Sequence, residues 1–318
     1  MKLLSTLAIL LSVVFSLGAD TQNQWIFILR SDSVEVASPH LNAIIKSIKL
    51  PEGEAKRIHP TPGGKFVFVT YEDRSYATAI DAETHEIAGS PSFEFVPAYI
   101  QFSSMGEVAF VTNSENNEVR IYDHKRAEFT YTKSVTVGAA GTPVLTNRRA
   151  TRLYRTGDDG LDYIYLKTGE IIDVVKVRGG LETISISPDY RTFWAIDAQN
   201  GYISIIDEAR ARVSKQVKAS HGLHAPVFAG SNVVVLADGG ESLHLYSERN
   251  FREQATIDLQ NGAEELVITD ENQIWSRSGV GIEITNLETG THQSTVALTD
   301  SIGLIYVVIR SGEGYACF

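Results

Sequence analysis

The chain has 318 residues, of which 28 are Lys or Arg and 39 are Asp or Glu, so its formal net charge is −11. A surface of this sign repels nucleic acid and anionic membranes, and we expect neither as a partner. Hydrophobic residues make up 43% of the chain, which is an ordinary globular composition, and the single cysteine, Cys317, excludes an intrachain disulfide.

The first predicted element in chain order is a targeting segment. Lys2 supplies a positive start, an apolar stretch follows to Leu17, and Gly18 and Ala19 are small residues suited to cleavage. This pattern is typical of a secretory signal peptide. We therefore expect residues 1–19 to be removed and the rest of the chain to be secreted or periplasmic, with no membrane span. The alternative is an uncleaved anchor, for which the apolar run is short.

A short apolar strand then recurs through the rest of the chain at steps of 40 to 43 residues. A period of about 40–45 residues with several short strands per unit is typical of a β-propeller blade. Aligned by sequence, one column of these strands contains Phe27, Phe68, Phe110, Leu153, Trp194, Leu236 and Ser276.

The repeat divides the chain into six complete units and two partial ones. The clearest unit alternates apolar and polar residues over Tyr99–Phe102, Val108–Thr112 and Glu118–Tyr122, which predicts an antiparallel meander that Thr130–Val137 completes. Residues 25–50 supply three strands and residues 304–309 supply one, so we predict that they share a seventh blade and remove the open sheet edge. The complete units are residues 55–97, 98–141, 142–182, 183–225, 226–264 and 265–303.

Short motifs within these units carry a family resemblance. Phe68-Val69-Thr70, Phe110 to Asn113, Ser187-Pro188-Asp189 and Ile205-Ile206-Asp207 resemble the YVTN-type β-propeller repeat. The resemblance implies an exported seven-bladed propeller and no single activity. WD40 repeats are the alternative, but no Trp-Asp dipeptide closes a third strand.

We therefore predict an all-β, seven-bladed propeller of four-stranded antiparallel blades, formed as one domain by residues 20–318. Residues 314–318 fall where a further second strand would be due. We interpret them as a tail, with a partial eighth blade as the alternative.

Propeller sites usually lie where the innermost strands open onto the central channel, so we expect functional residues at that rim. Three consecutive blades contribute Glu182, His224 and Glu264, a set that suits a divalent cation or acid–base chemistry. We expect further polar side chains on the same rim: Arg178, His221, Arg57, Glu54, Glu265 and Asp300. The alternative is an ordinary solvated rim. Aligning the units on their turns places one ring of residues before the first strands: Lys56, Ala98, Gly141, Glu182, His224 and Glu264, with the seventh place near Leu304.

Two functions follow from these residues. The first is a binding module for a protein, glycan or small ligand, with Lys56, Arg178, Glu182, His221, His224 and Glu264 as candidate binding residues. The second is a metal-assisted, lactonase-like hydrolase or lyase at the same mouth, which the resemblance to exported propellers suggests. We expect a monomer, and no cofactor beyond the candidate divalent metal ion.

The tryptophans and the other histidines are predicted to have packing or surface roles. Trp25, Trp194 and Trp275 fall in or beside second strands, where they are predicted to pack between blades. His59 falls in a first strand, facing either the channel or the core. His40, His85, His124 and His292 fall near turns between third and fourth strands and are predicted to be solvated.

Overall fold

The computed structural model describes residues 24–137, 140–269, 272–279 and 281–296, and the backbone of residues 305–308. The predicted signal peptide and the predicted tail at residues 314–318 lie outside this range. Within it, no helix is long and apolar enough to cross a membrane.

The described chain forms twenty-eight strands in seven sheets of four, and its only helical segment is a short 3-10 turn at Asp238–Gly240. This confirms the predicted all-β, seven-bladed propeller. The strands are β1 (Trp25–Leu29), β2 (Ser33–Ser38), β3 (Ala43–Lys49), β4 (Ala55–Pro60), β5 (Phe66–Tyr71), β6 (Ala77–Asp81), β7 (Glu86–Gly89), β8 (Pro97–Phe102), β9 (Val108–Asn113), β10 (Glu118–Lys125), β11 (Glu128–Thr136), β12 (Leu145–Thr146), β13 (Arg152–Gly157), β14 (Gly160–Tyr165), β15 (Glu170–Lys176), β16 (Thr183–Ile186), β17 (Thr192–Asp197), β18 (Tyr202–Asp207), β19 (Arg212–Lys218), β20 (Val227–Ala229), β21 (Asn232–Ala237), β22 (Ser242–Ser247), β23 (Glu253–Asp258), β24 (Glu265–Ile268), β25 (Gln273–Ser278), β26 (Gly281–Asn286), β27 (His292–Val296) and β28 (Ile305–Val308).

The first blade is built from both ends of the chain. β28 pairs antiparallel with β1, with Val308 opposite Trp25 and Ile305 opposite Ile28. β28 is therefore the innermost strand of this blade, as the repeat predicted. The blades in chain order are β28 with β1–β3, then β4–β7, β8–β11, β12–β15, β16–β19, β20–β23 and β24–β27.

The core lies between blades, because each second strand is buried on both faces. At the junction of the third and fourth blades Phe110 packs in one cluster with Leu153. At the next junction Tyr154 packs with Phe193. Phe110 and Tyr154 therefore face the following blade, whereas Leu153 faces the preceding one, so the predicted column is wrong by one residue here.

The same correction applies to the last blade. Trp275 packs with Ile26 and Ile28 of the first blade and takes the place predicted for Ser276. Ser276 is fully buried on the other face, and its hydroxyl donates to the Glu283 carbonyl at 3.5 Å.

Every outermost strand contains a β-bulge at the same place in its ladder. In three blades the residue after the bulge is a lysine whose ammonium reaches the next blade. The contacts are Lys46 Nζ to the Thr84 carbonyl (3.2 Å), Lys133 Nζ to the Leu166 carbonyl (3.0 Å) and Lys215 Nζ to the Asn250 carbonyl (2.9 Å).

The meander gives the disc two distinct faces. The loops before each first strand and the hairpins between second and third strands lie on one face, which we call the mouth face. The turns between first and second strands, and between third and fourth strands, lie on the other, which we call the rear face.

Candidate functional site at the channel mouth

Five of the seven predicted ring residues occupy equivalent backbone positions at the start of the innermost strands. The N–H of Glu182 donates to the Ile196 carbonyl at 2.9 Å, although Thr183 is the ladder partner of Ile196. The N–H of Glu264 bonds to Arg277 in the same way at 2.8 Å. Two residues thus oppose one, which is the pattern of a β-bulge.

Three other blades repeat this arrangement. The ladder shift before Arg57 places Lys56 at the bulge, and the shift before Tyr99 places Ala98 there. The N–H of His224 donates to the Leu236 carbonyl at 2.9 Å. Five blades therefore present their bulge residue to the same ring.

Gly141 does not belong to this ring. Its N–H donates to the Asn113 carbonyl of the preceding blade at 2.9 Å, and β12 begins only at Leu145. The predicted position is wrong in this blade, because the loop is longer than in the others. Leu304 lies outside the described residues.

Two members of the ring form ion pairs on the mouth face. Lys56 pairs with Glu72, and the Glu264 carboxylate lies 2.7 Å from Arg277 Nη1. The acidic partners are mostly exposed, with Glu264 at 66% side-chain exposure. Such pairs orient the side chains but add little to folding stability.

His224 is the half-buried member of the ring. Burial lowers the pKa of its imidazole, and the negative charge of Glu264 partly opposes that effect. The side chain is therefore neutral near pH 7 and close enough to Glu264 to feel its charge. Glu182 is exposed beside it in the ring. Among the described residues, no group of three or more His, Cys, Asp or Glu side chains is placed to hold a metal ion, and the three-ligand metal site stays a prediction.

Arg178 and His221 lie on neighbouring mouth loops. The Arg178 side chain is exposed, and the next residue, Gly179, has a φ of +96°. A Cβ on Gly179 would lie 1.8 Å from the Asp197 carboxylate, so only glycine fits this loop. His221 Nδ1 is 3.0 Å from the Gln199 carbonyl, which fixes its ring on the surface.

Sequence reasoning placed Arg57 on this rim but missed its contact with Tyr99. The Arg57 guanidinium lies over the Tyr99 ring at 4.3 Å from its centroid, and both side chains are half-buried. This contact joins the second and third blades and places a cation and an aromatic ring side by side. Each residue directly follows a predicted ring position, Lys56 or Ala98, which is the signal that could have identified it.

His59 lies below this contact in the same innermost strand. It is 2% exposed, and its Nε2 is 3.1 Å from the Thr70 hydroxyl. Burial, followed by the charge of Arg57, lowers the pKa of His59 to about 3. The imidazole is thus neutral and buried within the second blade.

Two histidines predicted to be solvated are instead packed against aromatic rings. His85 is 8% exposed and lies edge-on to Trp25 at 4.7 Å. His124 lies 5.6 Å from the Phe68 ring of the preceding blade, and its Nδ1 is 2.6 Å from the Gly106 carbonyl. The prediction was wrong because the third-to-fourth turn folds back over the preceding blade.

The other predictions of this kind agree with the structure. His40 and His292 are exposed. Trp194 and Trp275 are fully buried, and Trp25 is half-buried beneath His85.

Comparison with solved structures finds the same fold at low sequence identity. A functionally unknown protein from Desulfotomaculum acetoxidans DSM 771 gives a TM-score of 0.74 at 12% identity, covering 90% of this chain and 99% of that one. The dihydro-heme d1 dehydrogenase NirN, in complex with DHE, gives 0.70 at 10% identity, covering 94% and 78%. Hydrazine synthase from Kuenenia stuttgartiensis gives 0.59 at 13% identity, covering 86% and 92%.

These likenesses show the propeller fold and nothing finer. No protein-family model matches the chain, and no curated protein matches it. Membership of the YVTN repeat family therefore stays a prediction.

Proposed function

We propose that this protein is a binding module that holds a polar ligand on its mouth face. The observation that carries the proposal is the ring of bulge residues. The ladder fixes their backbone positions, yet their chemistry changes from blade to blade: ammonium at Lys56, methyl at Ala98, carboxylate at Glu182 and Glu264, and imidazole at His224. A rigid ring with unlike groups favours one ligand in one orientation.

The surface formed by Arg57 and Tyr99 supports the same function. A guanidinium pairs with carboxylate oxygens through a planar set of donors, and an aromatic face packs against a sugar ring or another planar group. The ligand classes that suit the mouth are thus a small organic acid, a glycan, or a protein segment that carries such groups.

A ligand screen tests this function. Wild-type protein is screened by thermal shift against organic acids and oligosaccharides, and hits are titrated against Arg57→Ala and His224→Ala. The matched control is His292→Ala, an exposed histidine of the outermost strand β27. We expect at least about a tenfold loss of affinity in both mouth variants and none in the control. A ligand that binds all four proteins equally would contradict the proposed site.

A metal-assisted hydrolase or lyase is the second candidate, and the charge interaction between His224 and Glu264 favours it. The ion pair of Glu264 with Arg277 competes with metal binding. Calorimetric titration with Mg²⁺, Ca²⁺, Mn²⁺ and Zn²⁺ tests the candidate, with Glu264→Gln as the site variant and Glu288→Gln on the rear face as its control. Absence of saturable binding removes this candidate and leaves the binding module untouched.

A further inference from the structure

A cleft of about 630 Å³ lies between the outer parts of the sixth and seventh blades and extends along β23 from the 287–290 turn on the rear face. Its floor is aliphatic, because Leu245, Ile257 and Leu287 are all buried there. Its rim carries two exposed acidic residues, Asp258 and Glu288. An apolar floor with a negative rim suits a cation on a hydrocarbon stem.

The equivalent junction between the fifth and sixth blades shows how the protein fills this space elsewhere. Lys215 Nζ lies 2.9 Å from the Asn250 carbonyl and 3.1 Å from the Phe251 carbonyl. Lys215 is opposite Ile205 in its ladder, directly after the bulge. Ala255 is opposite Leu245 in the same register, so the sixth blade has a methyl group where the fifth has a lysine.

The turn that faces Ala255 has a glycine, Gly290, where the equivalent turn of the sixth blade has Phe251. Phe251 has a φ of +58° before its outermost strand, and Gly290 has a φ of +68° at the same place in the next blade. Phe251 packs 5.9 Å from Trp194. A Cβ on Gly290 would meet Ile257 at 3.3 Å. The cleft is open because both a lysine and a large turn residue are missing.

We propose that this cleft binds a small primary alkylammonium ion, whose ammonium takes the place of the missing lysine Nζ. The hydrocarbon stem lies on the aliphatic floor, and the three N–H donors face the backbone carbonyls of the 287–290 turn. The carboxylates of Asp258 and Glu288 favour a cation over a neutral molecule of the same shape.

A free ion suits the cleft better than the lysine of a docked protein. Protein interfaces surround such a contact with large apolar side chains that become buried. The exposed large hydrophobic residues of the described chain, such as Leu41, Met105 and Ile172, are not among those lining the cleft. None of the proposed binding residues of the mouth lines the cleft, so this inference is independent of the function proposed there.

Calorimetric or NMR titration with n-butylammonium tests the inference, with n-butanol as the neutral molecule of similar shape. We expect saturable binding of the amine and at least about tenfold weaker binding of the alcohol. Ala255→Lys supplies the missing ammonium from the chain itself and is expected to weaken amine binding by at least about tenfold.

The matched control is Ser294→Lys. Ser294 occupies the same register position in the seventh blade, outside the cleft lining, and the substitution adds the same charge. This variant is expected to bind n-butylammonium like the wild type. A Ser294→Lys variant that loses binding as strongly as Ala255→Lys would reduce the effect to net charge and overturn the site.

A rescue experiment gives a second readout. Lys215→Ala should open part of an equivalent space beside Phe251, lower the Tm, and recover part of that loss in n-butylammonium but not in n-butanol. The proposal is overturned if the wild type binds the amine no better than the alcohol, or if Ala255→Lys binds it unchanged. It is also overturned if the peptide acetyl-Gly-Lys-Gly-amide binds while n-butylammonium does not, since a partner's lysine would then be the occupant.

Discussion

The innermost strands of the second and third blades place a polar side chain at the same position, with different results. His59 is opposite Phe68 and Gln101 is opposite Phe110, and a threonine follows two residues later in each second strand. In the second blade His59 bonds to Thr70. In the third, Gln101 turns its amide N–H to the Phe102 carbonyl at 3.1 Å.

The third blade therefore leaves two buried polar atoms without a partner among the described residues. They are the Gln101 side-chain oxygen and the Thr112 hydroxyl. An imidazole spans the distance to the threonine, whereas the amide of Gln101 satisfies its backbone neighbour instead. Register and burial alone do not decide whether a buried polar pair stabilises the fold, because the two side chains must also reach each other and form a hydrogen bond.

The largest expected effect that separates the two blades is acid sensitivity. The pKa of His59 is about 3 in the folded protein, below the ordinary value of 6.5. Between these two pH values the imidazole is protonated in the unfolded chain but not in the folded one. This contribution to the free energy of unfolding is complete above pH 6.5 and is lost as the pH falls towards 3. The loss is about 2 kcal/mol by pH 5 and about 4 kcal/mol at pH 3.

His59→Gln copies the residue of the third blade and should remove this component. Urea unfolding of both proteins at several pH values between 7 and 4 measures the difference. Parallel pH profiles for the wild type and the variant would show that His59 does not resist protonation.

The two threonines give the next largest contrast. Thr70→Val leaves the buried His59 nitrogen without its partner and should cost about 1–3 kcal/mol in free energy of unfolding. Thr112→Val removes a hydroxyl that has no partner, so its cost should stay within about 0.5 kcal/mol. Chemical denaturation at pH 7 compares the two. An equal loss in both variants would contradict the assigned difference.

Gln101→His should convert the third blade towards the second. We expect a new bond to Thr112, a gain of about 1 kcal/mol at pH 7, and a new loss of stability below pH 6.5. NMR titration of the introduced imidazole measures its pKa directly. A pKa near 6.5 would show that the two sites differ in more than the side chain.

The smallest expected effect is at the surface end of the second blade. Lys56 and Glu72 pair on the mouth face, where both side chains are at least 36% exposed. Glu72→Gln should change the free energy of unfolding by no more than about 0.5 kcal/mol, and less at high salt. A loss as large as that of Thr70→Val would mean that the mouth pair contributes to stability like a buried one.

The repeat period made the architecture predictable, including the blade shared by the two ends of the chain. It was harder to predict which residues of a single strand face which neighbouring blade. Tyr154 and Trp275 were missed by one residue because second strands are buried on both faces, and the alternation that marks a face disappears there. Gly141 was misplaced because an extra stretch of loop has no sequence marker.

The candidate site was predictable in part for a similar reason. Turn alignment found equivalent ring positions such as Glu182 and His224, but it did not reveal that they are β-bulges. Contacts between blades, such as Arg57 on Tyr99 or His85 on Trp25, depend on how neighbouring sheets pack, and the period does not encode that. A lysine recurs at one register position in three outermost strands, at Lys46, Lys133 and Lys215. This recurrence is visible in the sequence, but the contacts of these lysines with the next blade were not predicted from it.

The pairing of β28 with β1 makes closure of the disc depend on residues 305–308, which lie far from β1 in the sequence. Until residues 305–308 reach it, one side of β1 exposes unpaired backbone groups next to a strongly apolar segment. A chain that ends before residue 305 can form six complete sheets but cannot close the disc. The free edge of β1 is then available for pairing with another chain. Chains that end before residue 305 should therefore aggregate or be degraded.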